Sequence, residues 1–113
     1  MTEVHIHYAH TTGKLRVYDQ QNGYTDRLEY AAIIEALWIS QSMVQLQAAK
    51  GDINKRAILA IFGKLFGMGA ERVLIQRAKG RRMPYGTLIE SGEHEDTYLV
   101  NLLELNYRGL LNA

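Results

Sequence analysis

The residues with the most chemistry to offer are Arg72, Gln76 and Arg77, followed closely by Lys79, Arg81 and Arg82. On a helix lying in a major groove, arginine makes paired hydrogen bonds to guanine and glutamine to adenine. Cations in a glycine-bounded loop neutralise phosphates without reading sequence, which is the role this spacing gives Lys79, Arg81 and Arg82. All six belong to residues 50–82, where nine lysines and arginines face only Asp52 and Glu71. The chain as a whole has a formal net charge of +1, because residues 1–49 carry three bases against five acids and residues 83–113 carry one against five. Charge segregated in this way attracts a polyanion or an acidic protein surface. The plainer reading is a solvated basic face that pairs with the acidic last third of the same chain.

Other reactive groupings offer less. His5 and His7 are two apart on an alternating segment, with His10 following, so two imidazoles share one face of a strand. A metal site needs a third and usually a fourth ligand, and the remaining candidates near His94 are remote in sequence. No functional metal or cofactor is expected. Enzyme templates fail on inventory: Gly63, Gly67 and Gly69 precede no Gly-Lys-Ser/Thr, there is no Gly-x-Ser-x-Gly elbow, and the chain has no cysteine. Glu93 and Glu95 read as a solvated turn rather than an acid/base pair. A non-catalytic role is the expectation.

The elements that must position the basic residues follow from periodicity. Alternation at Val4, Ile6 and Tyr8, turn chemistry at residues 11–13 and a second alternation through Asp19 predict a β-hairpin over residues 3–19. From a cap at Thr25 or Asp26, about 24 residues without glycine or proline predict a long central helix ended by Gly51. It is apolar almost all the way round, which predicts a core helix, a dimer interface or both. Trp38, beside Ile34 and among Gln41 and Gln45, has the composition of a partly wetted contact and marks the expected homodimer surface.

A second helix is predicted from Asp52 through Phe66, ended at Gly67-Met68-Gly69, and a third over residues 70–79, although Arg72 to Ile75 also suits a strand. Gly63 as a small crossing residue, Gly67 in the turn, and Phe62, Phe66, Met68 and Val73 as apolar neighbours resemble a helix-turn-helix pattern over about twenty residues. Gln76 departs from that frame, which prefers an apolar residue there. Residues 80–86 read as a loop, 87–90 as a short strand and 91–95 as a polar turn. Residues 96–111 read as a strand followed by a helix, or as one helix.

A chain of 113 residues with 47% hydrophobic and 22% charged residues is long enough for one core, which predicts a single domain over residues 1–113 and excludes a disordered or stapled mini-protein. No apolar run approaches the ~18 residues that span a bilayer, and no leader pattern opens the chain, so a cytoplasmic, non-membrane protein is expected. The expected fold is α+β: an N-terminal hairpin, a long central helix, a helix-turn-helix-like pair, then a short C-terminal hairpin or strand plus helix. The expected function is nucleic-acid binding, with duplex DNA favoured, by a regulator-like homodimer. The alternative is a non-catalytic adaptor or inhibitor that docks on an acidic partner.

Overall fold

The computed structural model describes residues 11–17, 32–51, 53–81 and 83–111. Among these residues six strands and two helices follow one another as β1 (Thr11–Val17), β2 (Ala32–Trp38), β3 (Met43–Gly51), α1 (Lys55–Gly67), β4 (Arg72–Ala78), β5 (Thr87–Ser91), β6 (Glu95–Asn101) and α2 (Leu102–Tyr107). The strands form one sheet in the order β1-β2-β3-β4-β6-β5. Its centre is the parallel pair β3 and β4; the other neighbours are antiparallel. Parallel neighbours need a crossover, and α1 supplies it.

This architecture corrects the expected fold. The described part of the predicted central helix is β2, a turn and β3. Ala32, Ile34 and Ala36 are buried while the residues between them are half-buried, the period-two signature of a strand covered more fully on one side. Ala-Ile-Ile-Glu-Ala-Leu-Trp satisfies helical and strand templates alike because nearly every position is apolar, and strand pairing decided between them. The turn carries neither glycine nor proline. Ser40 makes it instead: its Oγ accepts hydrogen bonds from the backbone N–H of Ser42 and Met43 at 3.3 and 3.1 Å.

The helix predicted over residues 70–79 is β4, the alternative that Arg72 to Ile75 suited. Val73 and Ile75 alternate inward, and β4 is hydrogen-bonded on both edges, to β3 and β6. With it the helix-turn-helix disappears, since only its first helix exists. Asn54, not Asp52, caps that helix, its Oδ1 accepting from Ala57 N–H at 2.8 Å. Gly63 does serve a close approach, but to the C-terminal tail: a Cβ there would stand 3.2 Å from the Leu111 carbonyl oxygen.

Of the predicted N-terminal hairpin, Thr11–Val17 is strand throughout and pairs with β2, so the turn expected at residues 11–13 is strand instead; residues 1–10 and 18–19 lie outside the described residues, and with them His5, His7 and His10. In residues 96–111 the strand-then-helix alternative is realised, as β6 and α2.

The two faces of the sheet differ. On one, Ile58, Ile61, Phe62 and Leu65 of α1 join Ile34, Val44, Leu46, Val73, Ile75 and Val100 of the strands in a single buried cluster, completed by Leu102 and Leu105 of α2. On the other, Leu37, Gln45, Leu74 and Leu99 form a half-buried row across four strands, with no helix over it among the described residues. The surface assigned to a dimer does not survive as one patch. Ile34 is 1% exposed in the core, Trp38 packs against that core, Gln41 is exposed in the turn, and Gln45 belongs to the opposite face. No helix among the described residues is long and apolar enough to cross a membrane.

Candidate anion-binding cleft

Parallel strands joined by a helix leave a crevice beyond their carboxyl ends, where the crossover begins. Here β3 and β4 run out together below the start of α1, and the space holds a cavity of about 430 Å³. Its construction starts in β3. The β2–β3 register shifts between Ile33 and Glu35, so that Ala48 and Ala49 together oppose one residue, and Ala48 takes a φ of +53°. A bulge of this kind bends the strand end. Ala48 and Ala49 thereby form one wall, Ile34, Ile58 and Ile75 the apolar floor, and Met83 with Pro84 the far side.

Three cations from three places reach the same cavity: Lys55 at the first position of α1, Arg77 near the end of β4 and Arg81 in the loop that follows. A second hollow of about 540 Å³ adjoins it and shares Arg77 and Arg81. Glu95 also lines the first cavity, the one acid to do so among the described residues. The first turn of α1 contains no acidic residue, and its first two positions are Lys55 and Arg56. Helix N-termini carry a partial positive charge that favours acids, so two cations there oppose the helix's own preference. They are understandable where an anion is to be held.

The loop carrying Arg81 is fixed by the acidic hairpin beside it. Asp96 is the buried charged residue of the described chain, at 6% exposure. Its carboxylate accepts from the Ser91 hydroxyl at 2.7 Å and from Gly80 N–H at 3.3 Å. The Ser91 hydrogen bond, then the Gly80 N–H and the nearby Lys79 ammonium, hold its pKa below the ordinary carboxylate value against the opposing effect of burial. Lys79 itself donates to Ser91 Oγ at 3.1 Å and to the Gly92 carbonyl at 2.9 Å. Gly80, with φ of +86°, makes the turn, and the Arg81 carbonyl accepts from Tyr98 OH at 3.0 Å. The Arg81 side chain has no partner among the described residues, so the backbone is anchored and the guanidinium is left to the cleft.

The six residues singled out by sequence are thus divided by the fold. Arg72 and Gln76 are exposed on the face of β4 away from α1, opposite Met43 or Asn101 and Thr97. Arg77, one residue further, points to the other side and into the cleft, because successive strand residues alternate. Lys79 is engaged by the hairpin, Arg81 reaches the cleft, and the Arg82 side chain lies outside the described residues. Of the cavity's charged residues, Lys55 was not singled out by sequence, and Glu95 was read only as part of a solvated turn. Lys55 and Arg56 directly after a cap-forming Asn54 were a signal available in the sequence; nothing local marked Glu95 as facing a cavity. No family model, curated protein or solved structure matches the chain.

Proposed function

We propose that the protein binds nucleic acid through this cleft, with Lys55, Arg77 and Arg81 meeting phosphate oxygens. The observation that carries the reading is the convergence of cations from a helix, a strand and a loop on one concave site. A merely solvated basic face has no reason to gather them there, and phosphate contacts supply most of non-specific nucleic-acid affinity. The two cations at the start of α1 add to the same field, at a cost to the helix. Base-edge reading by a recognition helix plays no part, since the residues assigned to it stand on two faces of a strand.

Anisotropy of a fluorescent oligonucleotide, measured from about 50 to 200 mM salt, tests this. The wild-type protein binds at the low end and loses affinity with a linear dependence on the logarithm of salt. Arg81→Ala weakens binding and lowers the slope by about 0.7–0.9, the value of one phosphate contact. Arg72→Ala, equal in charge but on the opposite face, leaves both nearly unchanged. Equal losses from the two variants, or no binding at low salt, defeats the proposal.

A further inference from the structure

A basic cleft by itself suits a duplex, a single strand or any other polyanion. Its edge narrows the choice. Met83 to Gly86 form a tight turn closed by Gly86 N–H donating to the Met83 carbonyl at 3.1 Å, with Pro84 second and Tyr85 third. Tyr85 has a φ of +67°, at the turn position where glycine or asparagine is the ordinary occupant. The turn cannot shift easily, because a Cβ on Gly86 would already meet Met83 Cγ at 3.0 Å and Tyr98 Cβ at 3.1 Å. An aromatic side chain is therefore kept where its backbone is disfavoured. The result is a half-buried phenol ring, packed against the core, with Lys55 Nζ 5.2 Å from its centroid.

Lys55 links the ring to the cleft, since the same side chain lines the cavity. The cavity has an apolar floor under a cationic rim and, at about 430 Å³, lies in the lower part of the range for small-molecule sites. That is the pairing of surfaces a nucleotide presents: a flat, weakly polar base and an anionic phosphate. In a duplex the base faces are stacked on their neighbours and are not offered to a side chain. In a single strand they are, and aromatic rings next to cations are the general means of holding them.

Building on the nucleic-acid reading, we infer that the cleft takes single-stranded nucleic acid, with an unpaired base stacked on Tyr85 and the adjoining phosphates on Lys55 and Arg81. Lys55 covers the ring in the free protein and moves from the ring to a phosphate when a strand arrives. The ring holds the base in its place.

Three labelled probes of equal length separate the possibilities: a twelve-residue oligothymidylate, the same backbone with abasic sugars, and a twelve-base-pair duplex. Wild-type protein binds the oligothymidylate about tenfold more tightly than the abasic strand, the size expected of one stacking contact. Tyr85→Phe keeps that preference. Tyr85→Gly, which accepts the positive φ without strain, removes it, and the abasic strand binds no more weakly because Lys55 and Arg81 remain to meet its phosphates. Equal binding of thymidylate and abasic strands, a preference for the duplex, or a preference that survives Tyr85→Gly overturns the inference while the phosphate-binding cleft stands. Failure of all three probes to bind at low salt removes the cleft reading and this inference together.

Discussion

The two faces of the sheet carry similar residues and are built differently. Both bear basic side chains: Arg77 on the α1 side, Arg72 on the other, five residues earlier in the same strand. Both bear leucines and isoleucines, buried on the first and half-buried on the second. What differs is what stands opposite. On the α1 side a helix closes the core and its beginning, together with a strand bulge and an anchored loop, makes a concave site. Among the described residues nothing stands opposite the other side, and Arg72 and Gln76 are exposed there, where water and salt screen charge. Charge density along the chain marked the segment from which all three cleft cations come, but the distribution over the two faces decides which cations converge.

The largest expected effect tests the apolar half of this comparison. Phe62 has 0% exposure beneath the sheet, so Phe62→Ala should destabilise the protein by about 3–5 kcal/mol. Leu99→Ala, in the half-buried row of the opposite face, should cost about 1 kcal/mol, because only part of the side chain is removed from water. Urea unfolding of both variants measures the contrast, and equal losses would mean that the second face is covered as completely as the first.

A smaller effect tests whether the start of α1 is built for an anion rather than for stability. Arg56→Glu replaces an exposed cation with an acid at the positive end of the helix, which should raise stability by about 0.3–1 kcal/mol at low ionic strength and less in high salt. The same variant should bind oligonucleotide more weakly. A variant that is less stable, or that binds as well as wild type, would remove the trade between helix and ligand.

The effect most restricted in range concerns the anchor of the Arg81 loop. The folded protein holds the Asp96 pKa below its ordinary value, so the contribution of this group to stability is complete above the unfolded value of about 3.9 and is lost as pH falls through the lower folded value. Asp96→Asn removes that part of the acid limb. Thermal unfolding of wild type and variant across acid pH should show curves that converge as pH falls; parallel curves would show that the carboxylate's ionisation does not support the loop.

Much of the molecule was legible in sequence. The helix from residue 55 to Gly67 with its glycine-rich end, the strand near residues 87–90, the polar hairpin turn and the basic segment each follow from local composition, and each is present. Local physics suffices there because capping, turn formation and solvation act between neighbours. The strand nature of residues 32–38 and 43–51 was not legible, and that of residues 72–78 was legible only as the alternative reading of Arg72 to Ile75. An almost uniformly apolar run fits either period, and its choice was made by hydrogen bonds to strands distant in sequence. The site was undetermined for the same reason. Lys55, Arg77 and Arg81 are separated by up to 26 positions, and only a parallel pair with a helical crossover brings them to one end of a sheet. Sequence by itself determined the basic charge of the middle segment and the helix that starts within it. Tertiary structure decided which of those charges meet, because in a strand the side a residue faces depends on its pairing register, and that register is set by partners elsewhere in the chain.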